Sequence, residues 1–198
     1  MEILLSSLKV NPRPKLRFEE YNLDPQSAST MLYIALSQGD LLSKEVIDLG
    51  CGNGILSIGA AILGAKRVVG VDIDVDSIGV AKENAKNLNV RVDFASGSIE
   101  CVRGAFDTTI MNPPFGSWNK GLDVRFLEKA IGVSEVVYSI HKASNTSRSF
   151  LSRKVEGFGR ETRRLGQIQI TLPRLYEFHQ KAKYKVSADL YRIVAKSP

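Results

Sequence analysis

Short runs rich in Val and Ile alternate along the chain with longer stretches whose apolar residues recur every three or four positions. The pattern predicts strands at residues 45–49, 67–71, 90–95, 106–111 and 135–140, with helices between them at 55–63, 75–88 and 124–131. Strands that alternate with helices in this way build an α/β fold, a mostly parallel sheet covered on both faces. The tail differs. Residues 168–172 and 187–193 alternate as half-exposed strands joined by a basic loop, so an antiparallel hairpin is expected at one sheet edge, making seven strands in all.

Ahead of the sheet, Asn11-Pro12-Arg13-Pro14 must be extended, since each proline pushes its predecessor out of the helical region. Asp24-Pro25 reads as an N-cap with proline at N1, opening a helix through residues 31–36 that is placed to cap a ligand cleft. The polar stretch 141–148 reads as a loop after the fifth strand. No repeat or low-complexity segment interrupts the 198 residues, of which 43% are hydrophobic and 24% charged. One domain is expected over 1–198, with 1–42 an N-terminal extension and capping helix and 43–198 the core; a disordered or fibrous chain is excluded.

The longest nearly uncharged helical stretch, 55–65, is broken by Gly59 and Gly64 and closed by Lys66 and Arg67. It falls far short of the roughly 20 residues a spanning helix needs, so no membrane association is expected. Met1-Glu2-Ile3-Leu4-Leu5 puts an acid where a secretory signal needs base, which favours a cytoplasmic location. Two cysteines, Cys51 and Cys101, and two distant histidines, His141 and His179, form neither a disulfide framework nor a zinc cluster, and no metal is expected. Charge is asymmetric: residues 148–198 carry twelve Lys and Arg against four Asp and Glu, whereas the remainder carries fifteen against seventeen. A polyanionic partner such as RNA is one reading, a solvated basic face the other.

The first strand runs into Asp48-Leu49-Gly50-Cys51-Gly52-Asn53-Gly54, and an apolar helix begins at Ile55. Glycines at these positions let backbone N–H groups approach a ligand at a helix N-terminus, because no Cβ intervenes. The G-x-G-x-G spacing departs from the G-x-G-x-x-G of dinucleotide enzymes, which argues against hydride transfer. A purely structural strand-to-helix turn is the competing reading. The second strand ends at Asp72, 22 positions after Gly50, where a carboxylate can accept hydrogen bonds from both hydroxyls of a ribose. Its alternative role is to cap the next helix, which Asp74 or Asp76 could do instead.

With this glycine loop and following acid, the chain resembles the Rossmann-like, class I methyltransferases that use S-adenosyl-L-methionine. The resemblance implies that cofactor and fold, and it places Gly50, Cys51, Gly52, Asn53, Gly54 and Ile55 around the cofactor. It gives Asp48 the methionine end, Asp72 the ribose and Ile73 a wall of the adenine pocket. Ser98, followed by Ile99, stands where the family usually has an acid touching the adenine amino group.

The fourth strand ends in Met111-Asn112-Pro113-Pro114-Phe115-Gly116, at the edge where doubly wound folds keep their chemistry. An amino group conjugated to a purine is a poor nucleophile, since its lone pair is delocalised. The Asn112 side-chain oxygen and the Pro113 carbonyl can accept its N–H bonds and localise that lone pair towards an activated methyl. Pro113 and Pro114 stiffen the corner, and Phe115 offers a stacking face for a planar base. No general base is required, because the amine sheds its proton easily once alkylated. Asn112, Pro113, Pro114 and Phe115 are therefore the catalytic candidates, with Asn112 a candidate for the cofactor as well. A Pro-Pro turn that merely ends a strand is the alternative.

A longer match narrows the substrate. From about residue 18 to 193 the chain is similar to small-subunit rRNA adenine-N6 methyltransferases of the methyltransferase-like protein 5 type. The similarity rests on the glycine turn, Val71-Asp72-Ile73-Asp74, the Asn112 motif, Asn119-Lys120-Gly121, Tyr138-Ser139-Ile140-His141-Lys142, Leu172-Pro173 and Phe178-His179. It departs upstream, where the family's Glu-Gln-Tyr-x-Thr is Glu19-Glu20-Tyr21-Asn22-Leu23, so Glu20, Tyr21 and Leu23 become the cofactor-side candidates. His141 and Lys142, beside the cleft, are candidates for holding phosphate or a flipped base, with Phe115, and a wet loop is the bland reading. Structured rRNA is the implied partner, braced by the basic hairpin, and eukaryotic relatives imply a small zinc-ribbon activator subunit. Glutamine N5 methylation of a protein and a non-catalytic, cofactor-gated RNA-binding module are the alternatives.

Overall fold

The computed structural model describes residues 1–13, 15, 23–115, 121–173 and 183–196. Glu20, Tyr21, Gly116, Asn119, Lys120, Phe178 and His179 lie outside the described residues. In chain order the elements are α1 (Glu2–Ser6), α2 (Pro25–Ser37), β1 (Glu45–Leu49), α3 (Ile55–Ile62), β2 (Arg67–Asp72), α4 (Val75–Asn87) and β3 (Asp93–Ser96). A 3₁₀ turn at Ile99–Cys101 leads to β4 (Phe106–Met111), α5 (Leu122–Val133), β5 (Ser134–Lys142), α6 (Asn145–Gly157), β6 (Arg160–Pro173) and β7 (Lys183–Ala195). The seven strands form one sheet in the order β3-β2-β1-β4-β5-β7-β6. The first five are parallel, and β7 and β6 add an antiparallel hairpin at one edge.

Strand order reverses between β1 and β4: the chain winds outwards from β1 to β3, then returns to lay β4 on the other side of β1. The crevice beyond the carboxyl ends of such a pair is where doubly wound sheets bind ligands. Alternate residues supply the two faces. Val46, Ile110, Tyr138, Ile140 and Leu190 pack with α1, α2 and α3, whereas Ile47, Leu49, Met111, Val137 and Ile193 pack with α5 and α6. Among the described residues no helix is long and apolar enough to cross a membrane.

Asp24 caps α2 as its sequence suggests, accepting the Ser27 N–H at 2.9 Å ahead of Pro25. Ala28, Met31, Leu32 and Ala35 of this helix are buried in the core, and Leu23, just before it, reaches the crevice. Residues 90–92 are not strand: the Val90 N–H returns to Ala85 O and closes α4, so β3 starts at Asp93. The expected loop 141–148 is also corrected. His141 and Lys142 belong to β5, paired with Asp189 and Ala188 of β7, and Ser144 caps α6 by accepting the Ser147 N–H at 3.0 Å.

The hairpin is longer than its alternation indicates. β6 and β7 pair from Arg160–Ala195 to Pro173–Lys183, with a register shift between Arg164 and Gly166 that disturbs the period-2 pattern. Since Lys142, the end of β5, pairs with Ala188, the pairs from Gln169–Ser187 to Pro173–Lys183 extend past the carboxyl edge of the sheet. Five pairs at about 3.4 Å per residue form an arm about 17 Å long beside the crevice.

Candidate active site

The turn after β1 is held by bonds to β2. Gly50 and Cys51 donate their N–H groups to Val71 O at 2.8 and 3.1 Å, Gly54 donates to Cys51 O at 2.8 Å, and Gly52 donates to Asp72 Oδ2 at 2.8 Å. Gly50, Gly52 and Gly54 all sit at positive φ, a region that disfavours a Cβ. A Cβ on Gly54 would stand 3.0 Å from Phe94 Cζ and 3.2 Å from Ala81 Cβ. The expected cradle of glycine N–H groups is thus corrected: these four donors are consumed by the turn. What the glycines provide is close approach of backbone to whatever fills the crevice.

A network from the N-terminal segment locks this turn to α4. Asn84 Nδ2 donates to Lys9 O and Asn53 O, and Asn53 Nδ2 also reaches Lys9 O at 3.0 Å, so the Asn53 amide is engaged in structure. Asp74, not Asp72, caps α4: its Oδ2 accepts from Ser77 and Asn11, and Lys15 pairs with its other oxygen. Asp72 accepts from Gly52 at one oxygen and from the Asp74 N–H, at 2.9 Å, at the other. Burial raises its pKa above the usual carboxylate range. Each Asp72 oxygen keeps a lone pair beyond those bonds for a ribose hydroxyl.

Asp48 is buried under the turn. Its Oδ2 accepts from Ser57 N–H at 3.0 Å and Ser57 Oγ at 2.6 Å, while Oδ1 has no partner. Desolvation pushes its pKa up to about 7. Asn112 Oδ1 is likewise buried and unpartnered. Asp48 and Asn112 line one small cavity of about 40 Å³, with Leu23, Cys51, Gly52 and Ile55. A buried acceptor without a donor costs about 1–3 kcal/mol. Two in one hollow, at the strand-order reversal, mark a place that a donor-bearing ligand completes. The residues fit S-adenosylmethionine on this ground, since its ammonium group is the kind of donor Asp48 Oδ1 lacks.

Ser98 has a second duty. Its hydroxyl caps the 3₁₀ turn by accepting the Glu100 N–H at 3.3 Å, leaving the O–H proton for another acceptor. Ile99 is buried and Ile73 is exposed. Phe115, His141 and Lys142 meet in a second cavity of about 250 Å³, whose far wall is α6. His141 is buried, 2.8 Å from Ser139 Oγ through Nε2 and edge-on to Tyr191, and burial pushes its pKa down to about 4. Its imidazole is therefore neutral, so of the two only Lys142 can meet a phosphate as a cation. The α6 residues of this cavity, Thr146, Ser147, Phe150, Leu151 and Arg153, lie inside or just beyond the expected loop. The signal for them was Ser144 as N-cap followed by Leu151 and Val155 at helical spacing.

Comparison with known proteins fits this geometry. The family model for ribosomal protein L11 methyltransferase (PrmA) matches residues 28–112, from α2 to Asn112. The rRNA N(6)-adenosine-methyltransferase METTL5 of Danio rerio is 36% identical over 97% of this chain and 96% of its own length. The chain belongs to the METTL5 family. A further METTL5 protein, from Drosophila melanogaster, is 33% identical over 91% of this chain and 88% of its own. The crystal structure of protein PH1948 from Pyrococcus horikoshii superposes with a TM-score of 0.93 at 38% identity, covering 99% of this chain and 96% of that one. The METTL5 match thus extends through α6 and the hairpin, which the shorter family model leaves out.

Proposed function

We propose that this protein transfers a methyl group from S-adenosyl-L-methionine to N6 of an adenosine in small-subunit rRNA. The observation that carries the reading is the pair of buried, unpartnered acceptors, Asp48 Oδ1 and Asn112 Oδ1, lining one cavity where the strand order reverses. When bound, S-adenosylmethionine supplies an electrophilic methyl on a sulfonium. Asp48 holds its ammonium end and Asp72 its ribose. Asn112 Oδ1 accepts an N–H of the target amine, drawing the nitrogen lone pair out of conjugation. Phe115 stacks on the base, and the turn excludes water from the reacting pair. No side chain needs to remove a proton before the methyl moves.

An adenine inside structured RNA must leave its stack to reach Asn112. The hairpin arm beside the crevice supports RNA over a protein substrate, because Lys183 and Lys185 lie along it. The reading places the enzyme in the cytoplasm with ribosomal subunits. It extends to a small zinc-ribbon activator that covers a sheet edge or helix face and co-purifies with the chain.

Mass spectrometry of rRNA nucleosides tests it. A deletion strain loses N6-methyladenosine at one small-subunit position; wild type restores it and Asn112→Ala does not, although the purified variant binds cofactor within about threefold of wild type. Loss of no N6-methyladenosine refutes the substrate, and restoration by Asn112→Ala refutes the mechanism.

A further inference from the structure

The second cavity touches the catalytic motif at Phe115 but includes neither Asn112 nor any residue of the glycine turn. At about 250 Å³ it lies below the usual size of small-molecule sites, of the order of one planar ring with its sugar. α6 presents Thr146, Ser147, Phe150 and Arg153 to it, spaced so that all four share one helical face. The packing of α6 falls to Leu151, at the edge of this cavity, and to Val155, both buried. Arg148 anchors the helix by two bonds to the buried Asp189, at 2.7 and 3.1 Å. The wall is thus preformed, and Phe150, 40% exposed, is not required by the core. Lys142 and Arg153 stand at the rim, both exposed, with the Asp123 carboxylate opposite in charge also lining the space. Neutral, buried His141 adds a polar atom without charge.

An aromatic ring left open beside two cations is the arrangement that holds single-stranded nucleic acid, the ring stacking a base while the cations meet phosphate. The geometry points to a second nucleotide site: Phe150 stacks the base next to the target adenosine on the same RNA strand, and Arg153 and Lys142 neutralise its phosphate. This rests on the RNA-methylation reading and deepens it, because a flipped target needs its neighbour unstacked as well. Phe115 then separates two bases, the target towards Asn112 and its neighbour towards α6.

The test uses the full chain and an RNA spanning the methylated adenosine, with 2-aminopurine placed on either side of it. Stacking quenches this fluorophore. With wild type one of the two labelled RNAs is expected to stay quenched on binding, and with Phe150→Ala that label should brighten while the RNA KM rises about tenfold, the effect of one lost stacking partner. Turnover number and cofactor affinity stay within about twofold, and Phe150→Tyr restores both quenching and KM. Should Phe150→Ala fold poorly, Arg153→Gln reports instead: the salt dependence of RNA affinity loses about one phosphate contact from its slope. Quenching and KM unaltered by Phe150→Ala, or an unchanged salt slope, overturn the inference. Quenching that depends on Phe150 in an RNA that wild type never methylates sinks only the parent reading.

Discussion

Asp48→Asn separates the stability of this fold from its function. In the folded protein desolvation pushes the Asp48 carboxyl up to about 7, whereas an aspartate in an unfolded chain sits at about 3.9. A raised folded-state pKa means the folded protein keeps a proton that the unfolded chain releases. Stability from this group is present below about pH 4, is lost as pH rises to about 7, and changes no further above that. At about 1.4 kcal/mol per pH unit over roughly three units, the loss approaches about 4 kcal/mol. Asparagine keeps an oxygen for Ser57 and cannot ionise. The stability difference between Asp48→Asn and wild type should therefore grow in favour of the variant between pH 4 and 7 by up to about 4 kcal/mol, then level off. Any fixed cost of the substitution cancels in this pH dependence. Urea unfolding of the cofactor-free proteins at half-unit steps from pH 4 to 8.5 measures it. A difference constant within about 0.5 kcal/mol would refute the reasoning, since Asp48 would then be as solvated folded as unfolded. The same variant should bind S-adenosylmethionine about 2 kcal/mol more weakly at pH 8, where the charged hydrogen bond is lost.

Asp72→Ala should weaken cofactor binding by about 1–3 kcal/mol in calorimetry, the usual loss for a buried hydrogen-bonding partner. It should also lower stability, because the Gly52 and Asp74 N–H groups lose their acceptor; unchanged cofactor affinity would leave Asp72 a purely structural role. Gly54→Ala should destabilise by about 2–4 kcal/mol, combining left-handed backbone strain with a Cβ pressed on Phe94 and Ala81. Gly52→Ala, with nothing within 4 Å of its Cβ, should lose only about 1 kcal/mol. Equal losses in urea unfolding would contradict the packing argument.

Strands 45–49 and 106–111 were legible to the residue, because each is a Val- and Ile-rich or Thr-rich run stopped by a turn motif that also carries chemistry. Helix α6 was not, since its first turn is Ser- and Asn-rich and its docking depends on Arg148 meeting Asp189, 41 positions away. The first half of β6 was hidden for a related reason: the irregularity at Arg164 and Gly166 breaks the alternation that marks a strand. Pattern could find Gly50, Asp72 and Asn112 because their spacing is local. It could not show that the N–H groups of the turn are already bonded to β2, which is a property of the paired strands. Nor could it show that His141 lies within a strand, buried and neutral.

Donor and acceptor counts explain why this glycine turn serves a different ligand from its dinucleotide counterparts. A phosphate needs free N–H groups, and here Gly50, Cys51, Gly52 and Gly54 have given theirs to Val71, Asp72 and Cys51. The side chains left without partners in the crevice are acceptors, one of them a carboxyl. Acceptors in a low-dielectric hollow repel an anion and favour ammonium, hydroxyl and amino groups. An amino acid joined to a nucleoside offers the first two and an exocyclic base amine the third. The same turn therefore selects against a pyrophosphate through the polarity of two oxygen atoms rather than through its shape.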